Sequence, residues 1–163
     1  MSLRIAIVDD LRLLQLVGPG AAEVLQRAGL SCPDAEQQAV ATPTGFVART
    51  GRAAFLLADD GGTGLPDDGP FWAFPAADHV FRVTGAGWPG LMAELCALDP
   101  ALLAEGGWLM TRFARIAVWL FRAPPAPGAA PPDLLIGCDP SHGRYLTTTL
   151  ETVAASCAES RDN

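Results

Sequence analysis

The sequence predicts an α+β fold in which two related halves form one mixed sheet with helices packed on its faces. Short apolar runs of strand type alternate with amphipathic helical segments along the chain. A glycine turn between a strand and a helix occurs twice, at Gly18 and Gly85, 67 residues apart. The 163 residues are sufficient for one well-packed core, so we expect a single domain over residues 1–163.

The first half predicts two strands, a helix and a hairpin. Strands are expected at Arg4 to Val8 and Leu13 to Val17, and Gly18-Pro19-Gly20 begins a helix. The apolar residues of this helix share one face, and a glycine at its end provides a left-handed stop. Two further apolar runs predict hairpin strands at 45–50 and 53–58, joined at Gly51-Arg52.

Residues 59–70, with the sequence DDGGTGLPDDGP, contain almost nothing to bury, which predicts an exposed and mobile loop. The four Asp of this segment raise the alternative of a calcium site. However, the acids stand in two adjacent pairs, without the alternating spacing and closing Glu of an EF-hand loop. We therefore expect solvated carboxylates in this loop.

The second half repeats the order of elements. The alternating segment His79 to Gly85 predicts a half-buried strand, and the helix that follows should end before Pro100. Residues 108–122 predict a second hairpin, and residues 123–132 predict a Pro/Ala linker. A last strand at 134–138 precedes a helix that starts at Asp139-Pro140, with Asp as the N-cap residue.

The two halves also correspond position by position. Gly18 matches Gly85 and Pro33 matches Pro100 under the 67-residue shift, and the two hairpins match after a small gap. We expect pseudo-repeats at about 11–58 and 79–122, related by pseudo-twofold symmetry. Residues 18–57 and 85–120 should then superimpose.

Charge and cysteine usage exclude several classes of function. The net charge is −7 and all 11 basic residues are Arg, without the basic stripe that nucleic acid or an anionic membrane surface requires. The apolar N-terminal run is too short for a secretory signal, and no later run is long enough to span a membrane. Four separated cysteines without a Cys-x-x-Cys pair predict reduced thiols in a cytoplasmic protein.

Two motifs suggest chemistry, but a structural explanation is better for each. Residues 85–90, GAGWPG, fit the dinucleotide pattern G-x-G-x-x-G, yet their helix leads to Asp99-Pro100 and not to a second parallel strand that ends in an acid. Residues 138–143, CDPSHG, gather a thiol, a carboxylate, a hydroxyl and an imidazole, but Asp-Pro-Ser at a helix start is expected from capping. We therefore expect no catalytic residue and no metal ligand.

Three polar residues, Thr111, Arg112 and Arg115, interrupt the otherwise apolar second hairpin near its turn. Arginine at this place could bind an anion or the carboxylate of a partner protein. The alternative, in which the three residues form internal hydrogen bonds that close the hairpin, stays open.

Three aromatic residues, Phe71, Trp72 and Trp119, are the second group of candidates. We expect them at the surface, where they would suit a ligand site or a protein interface. Half of all residues are apolar and only 18% are charged, so part of the apolar surface is expected to face a partner. That partner would be another subunit or, for the isolated chain, a second copy.

These residues taken together resemble the gamma subunit of heterotetrameric sarcosine oxidase, a relative of the folate-binding aminomethyltransferase domain of the glycine cleavage system. The resemblance covers most of the chain and is clearest in LQLVGPGAAEVL (14–25), CALD (96–99), TRFARIAVWLFR (111–122) and the final strand and helix. Residues 100–107 depart from the family's pattern. The first hairpin also lacks what looks like the aminomethyltransferase's Gly-Gly-x-x-Asp-Asp signature, so autonomous aminomethyl transfer is not expected.

The resemblance implies a non-catalytic, architectural subunit of a flavin-dependent amine-oxidising complex. Partner subunits would bind flavin, NAD and tetrahydrofolate, and this chain would bind no cofactor. The alternative is a stand-alone protein that binds folate or another small anion between its two repeats, with Arg112 or Arg115 as anchor. An enzyme that acts alone through Cys138 and His142 is the third hypothesis.

Overall fold

A computed structural model describes residues 3–125 and 133–159, with the backbone alone at 157–159. The first part of the chain forms β1 (Arg4–Ile7), β2 (Arg12–Val17), α1 (Ala21–Arg27), β3 (Gln38–Thr42), β4 (Gly45–Gly51), β5 (Ala54–Asp59) and β6 (Trp72–Pro75). The second part forms β7 (His79–Thr84), α2 (Trp88–Leu95), β8 (Trp108–Phe113), β9 (Ile116–Arg122), β10 (Leu134–Cys138) and α3 (Gly143–Glu159). Residues 126–132 of the predicted Pro/Ala linker lie outside the described residues.

The chain divides into two compact units. The N-unit comprises Asp9–Ala77 together with Gly106–Trp108, and the C-unit comprises the residues up to Val8, Asp78–Glu105 and the chain from Leu109 onward. The N-unit contains a five-stranded sheet in the order β3-β4-β5-β2-β6. The C-unit contains a second five-stranded sheet, β1-β7-β10-β9-β8, apart from the first residue of β8. Both sheets are antiparallel.

The α+β class is confirmed, but the predicted single mixed sheet is wrong, since the chain forms two separate antiparallel sheets. Two strands that the sequence pattern did not predict, β3 and β6, complete the N-unit sheet with residues of its own half. In the C-unit, β7 is flanked by β10 and by β1, which comes from the predicted first half. Residues of both predicted halves therefore form the C-unit sheet, in which β7 is antiparallel to both neighbours.

The strand, glycine turn and helix recur at the predicted offset. β2 and β7 each have six residues, and both their ends differ by 67 positions. Helices α1 and α2 begin directly after Gly20 and Gly87, which are also 67 positions apart. Gly18 and Gly85 have φ angles of 131° and 98°, in the region that favours glycine. The glycines therefore serve the tight turn from strand to helix.

Strand pairing, in contrast, differs between the halves. In the N-unit, β5 pairs directly with β2. In the C-unit, β10 lies between β7 and β9 and is antiparallel to both. Consequently β7 and β9 run parallel to each other, whereas β2 and β5 run antiparallel. The elements that the two halves share follow in the same order, although β3 has no counterpart in the second half. The superposition of residues 18–57 on residues 85–120 stays a prediction.

Each unit has its own apolar core. Val24 and Leu25 of α1 share a buried cluster with Leu16, Phe55 and Leu57 of the N-unit sheet. The C-unit cluster combines residues of α2, α3 and the second sheet, among them Leu91, Met92, Leu146, Leu150, Phe81, Leu120 and Ile136. Full burial of one such side chain stabilises the fold by about 1.5–3 kcal/mol. No helix in the described ranges is both long enough and apolar enough to cross a membrane.

Segment 59–70 contains more buried structure than the prediction allowed. Asp59 is the last residue of β5 and is buried. Leu65 packs against the N-unit core. Arg27 of α1 donates to the Asp68 carboxylate at 2.7 Å, which anchors the far end of the segment. The segment is therefore attached to the N-unit at its start, its middle and its end.

Candidate functional site

A bidentate ion pair joins the start of β2 to the end of β5. Arg12 Nε donates to Asp59 Oδ1 at 2.8 Å, and Arg12 Nη2 donates to Asp59 Oδ2 at 2.7 Å. The two residues are opposite each other in the strand register, so sheet pairing itself brings them together. The backbone N–H groups of Gly61 and Thr63 donate to the same carboxylate, at 2.9 and 3.3 Å. Asp59 therefore fixes the start of the segment that follows β5.

The environment of Asp59 stabilises its ionised form, although only 1% of the side chain is exposed. Burial alone would raise the pKa of Asp59, but hydrogen bonds from Arg12, Thr63 and Gly61 outweigh burial and lower the pKa from 3.8 to about 2. The side-chain hydrogen bond to Asp59 in turn raises the pKa of Arg12. Both groups are charged at neutral pH.

Arg12 also lines a cleft of about 510 Å³ within the N-unit. The walls come from the start of β2, from the segment after β5 and from β6. The lining is mainly apolar and includes Leu14, Leu65, Pro66, Phe71, Trp72 and Ala73, with Thr63, Gly64 and Asp67 beside Arg12. A volume of this size suits a small organic molecule.

Trp72 lies at the mouth of this cleft on the edge strand β6, and the residue is 68% exposed. Phe74, two residues further along, is 49% exposed and projects from the same face of the strand. Phe71 is half-buried and packs against the N-unit core as well as lining the cleft. Trp72 therefore lies at the surface as predicted, and Phe71 does so only in part.

The prediction that Trp119 is exposed is wrong. The side chain is 5% exposed and lies over Gly137, its cross-strand partner on β10. A Cβ at Gly137 would overlap the indole ring, so glycine provides the space that the ring occupies. The indole Nε1–H donates to Asp78 Oδ2 at 2.7 Å, which satisfies the buried polar group. Trp119 is a core residue of the C-unit sheet.

The three polar candidates of the second hairpin do not act as one group. Thr111 is half-buried, and its hydroxyl lies 3.8 Å from Cys96 Sγ. Arg112 on β8 and Arg115 in the β8–β9 turn are exposed, and no described carboxylate forms an ion pair with either of them. Neither arginine lines the 510 Å³ cleft, which belongs to the other unit. Thr111 thus has a weak contact to a residue outside its hairpin, and both arginines are exposed.

The residues of the CDPSHG segment cap a helix, as predicted. Asp139 Oδ1 accepts hydrogen bonds from the backbone N–H and the hydroxyl of Ser141. Burial, with the nearby Asp78 and Asp139, raises the pKa of Cys138 to about 11, so its thiol is protonated at neutral pH. Among the residues that the structure describes, no three His, Cys, Asp or Glu side chains are grouped as metal ligands.

The sequence pattern does not predict the Arg12–Asp59 pair, because it places Asp59 in the loop after the apolar run 53–58. The position of Asp59 directly at the end of that run is the signal that it could belong to the strand. The sequence pattern does not predict strand β6 either, although Trp72 and Phe74 are of residue types that are enriched in strands.

This chain shares its fold with several solved structures, among them a sarcosine oxidase chain and an aminomethyltransferase. A chain of heterotetrameric sarcosine oxidase from Corynebacterium sp. U-96, in complex with pyrrole 2-carboxylate, superimposes with a TM-score of 0.75 at 19% identity. That match covers 96% of this chain and 84% of the other. The glycine cleavage system aminomethyltransferase T from Bartonella henselae gives a TM-score of 0.67 at 13% identity and covers 91% of this chain.

This chain spans 45% of the length of the aminomethyltransferase. No protein-family model and no curated protein matches the sequence. The chain therefore has the same fold as a chain of heterotetrameric sarcosine oxidase and as part of aminomethyltransferase T.

Proposed function

We propose that the chain is a non-catalytic accessory subunit of a cytoplasmic, flavin-dependent amine-oxidising complex of the sarcosine oxidase type. The observation that carries this proposal is the extent of the structural likeness to one chain of heterotetrameric sarcosine oxidase, 96% of this chain and 84% of that one. Nearly the whole of this chain thus corresponds to nearly the whole of one component of a multi-subunit enzyme. In the proposed complex, partner subunits bind the flavin, NAD and tetrahydrofolate.

The candidate catalytic residues of the CDPSHG segment have structural contacts, which supports an architectural role for the chain. Asp139 and Ser141 are engaged in capping. Cys138 is 2% exposed, and its raised pKa makes its thiol a poor nucleophile at neutral pH. These side chains already have structural functions in the C-unit.

The partner surface that we propose lies on the outer face of β8 and its turn. Met110 and Arg112 project from one face of this edge strand, and Met110 is 54% exposed. Arg115 follows in the turn, and Tyr145, 48% exposed, donates its hydroxyl proton to the carbonyl oxygen of Ala114 there. Methionine, arginine and tyrosine are enriched in protein interfaces. The two exposed guanidinium groups would pair with carboxylates of a partner subunit.

Affinity purification from native extract of the source organism tests this proposal. The tagged chain should recover a protein with a flavin absorption spectrum that bleaches when sarcosine or a related secondary amine is added. The double variant Arg112→Glu, Arg115→Glu should lose at least about tenfold in recovery, because it places like charges against the partner's acids. Arg144→Glu, on the exposed surface of α3, is the matched control and should recover as much as the wild type.

Recovery without bleaching, or no flavoprotein at all under mild conditions, would contradict the subunit role. Equal loss in both variants would contradict the assignment of the surface to β8.

The second candidate is a stand-alone protein that binds folate or another small anion. The likeness to aminomethyltransferase T over 91% of this chain favours it. Calorimetric titration with tetrahydrofolate tests this function, with Arg112→Ala and Arg115→Ala as the variants that should lose binding. The absence of heat beyond dilution would exclude the folate form of the hypothesis.

A further inference from the structure

We propose that the 510 Å³ cleft of the N-unit binds a small, uncharged aromatic compound that carries a carbonyl group, of the aromatic amide class. The inference does not depend on the proposed subunit role. It rests on three properties of the cleft: its apolar walls, the hydrogen-bond donors that Arg12 has left, and the sign of the surrounding charge.

The walls suit a flat ring. Trp72, a residue that is 68% exposed, contributes an indole, and Phe71, Leu14 and Leu65 contribute apolar surface next to it. An indole side chain with so much free surface stacks readily on another aromatic ring. Burial of a ring in this cleft would remove apolar surface of both partners from water.

Arg12 supplies donors on one side of the cleft. Its Nε and Nη2 atoms are held by Asp59, and Nη2 also donates to the carbonyl oxygen of Thr63 at 2.8 Å. Nη1 has two further N–H groups, and in the part of the chain that the structure describes no residue accepts from them. The side chain is 35% exposed, so these donors can reach a ligand oxygen. Because Asp59 holds the guanidinium in place, little conformational entropy is lost when a ligand binds to it.

The charge around the cleft selects against an anion. Asp59 neutralises Arg12, and two exposed acids remain: Asp67, which lines the cleft, and Asp60, whose charge acts on Arg12. A carboxylate ligand would therefore enter a region of negative potential. A neutral carbonyl oxygen accepts from Nη1 without that penalty.

The probes for the test are benzamide, benzoate and benzylamine, which share one ring and differ in charge. We expect benzamide to shift the indole N–H resonance of Trp72 saturably in a heteronuclear NMR titration of the full chain. The expected Kd is on the order of 1 mM, as is usual for a ligand of this size. Benzoate should bind at least about fivefold more weakly, and benzylamine, which lacks the acceptor, should also bind more weakly than benzamide.

Two variants and a control locate the binding. Trp72→Ala should weaken benzamide binding about tenfold, followed at backbone resonances of Leu65, and its exposed position leaves folding intact. Arg12→Lys keeps a cation beside Asp59 but removes Nη1, and should weaken binding at least about fivefold. Phe74→Ala changes an exposed aromatic residue on the same strand outside the cleft and should bind benzamide like the wild type.

The proposal is overturned if benzoate binds as tightly as benzamide, or if Trp72→Ala binds like the wild type. Equal weakening by Phe74→Ala would also overturn it, as would the lack of a saturable shift at tens of millimolar benzamide.

Discussion

The ends of the central strands show how differently the two units use equivalent positions. In the N-unit, Arg12 and the buried Asp59 form a bidentate pair at the ends of β2 and β5. The aligned positions of the C-unit are His79, at the start of β7, and Arg122, at the end of β9. These two residues are not partners, because β10 lies between their strands and pairs His79 with Cys138 and Arg122 with Leu134.

Arg122 instead uses contacts of its own unit. It donates to the carbonyl oxygen of Leu103 at 3.0 Å, pairs with Glu105 at 3.4 Å and lies over the ring of Trp88 at 5.2 Å. A repeat in element order thus preserves strands, turns and helices, whereas the pairing of strands decides which side chains meet. Single substitutions in the two units test this difference.

The largest effect is expected at Gly137 of β10, the strand that separates β7 from β9. In Gly137→Ala the new methyl group would overlap the Trp119 indole, which would have to leave its position and its hydrogen bond to Asp78. We expect a loss of about 3 kcal/mol or more in the free energy of unfolding, measured with urea. Gly90→Ala in α2 is the control, since nothing lies near its Cβ position, and it should stabilise by about 0.5–1 kcal/mol.

The ion pairs Arg12–Asp59 and Arg122–Glu105 should contribute unequally to the free energy of unfolding. Asp59→Asn removes a buried carboxylate whose pKa is lowered to about 2, and should destabilise the protein at pH 7 by about 2 kcal/mol. Glu105→Gln removes the exposed partner of Arg122 and should cost less than about 0.5 kcal/mol. Urea unfolding of both variants measures the difference, and similar losses would show that the burial of Asp59 does not strengthen its ion pair.

The Asp59 contribution should also depend on pH. Because the folded pKa lies below the unfolded value of 3.8, the stabilisation is present in full above the unfolded pKa and is lost as the pH falls through about 2. The difference between wild type and Asp59→Asn should thus be constant above about pH 5 and shrink on acidification. A difference that grows toward low pH would contradict the lowered pKa.

The β4–β5 and β8–β9 turns should respond in opposite ways to a glycine substitution. Ala114 and Arg115 in the C-unit have φ angles of 51° and 70°, whereas the aligned Arg52 in the N-unit is outside the left-handed region. Arg115→Gly should therefore stabilise by about 0.5–1 kcal/mol, because glycine adopts positive φ without strain. Arg52→Gly should destabilise by a similar amount, because it only adds freedom to the unfolded chain. Thermal unfolding measures both, and equal signs would contradict the difference in turn type.

Cys138 should react with thiol reagents at a rate close to zero. Its pKa of about 11 leaves roughly one thiol in a thousand ionised at pH 8, and the side chain is buried. Burial also raises the pKa of Cys32, but that side chain is only half-buried. Peptide mapping after iodoacetamide treatment of the native protein should find Cys32 labelled well before Cys138, and the reverse order would contradict this assignment.

Most individual elements could be predicted from the sequence, because their signals are local. Glycines at fixed spacing identified both strand-to-helix turns, and Asp139-Pro140 identified the capped start of the last helical segment. The arrangement of strands could not be predicted, since the insertion of β10 between β7 and β9 depends on contacts between residues far apart in sequence. The same reason hid the burial of Trp119, which requires Gly137 on the neighbouring strand.

The candidate cleft was predictable only through Phe71 and Trp72. Arg12 and Asp59 are 47 positions apart, and although Asp59 ends an apolar run, the local sequence does not show that the two residues meet. Strand register brings them together, and a register needs the whole sheet. Arg112 and Arg115, which were predicted from their place in an apolar hairpin, are exposed as an interface would require.

Pro75 at the end of β6 limits how this protein can aggregate. The backbone N–H of Ala76 donates to Leu13, so by alternation Trp72 and Phe74 direct their backbone groups toward β2, while those of Ala73 and Pro75 point outward. Proline has no N–H, which leaves Ala73 as the outward donor within β6. A single donor is a poor template for an added strand. The protein can therefore display two aromatic side chains on a sheet edge that resists extension into intermolecular sheets.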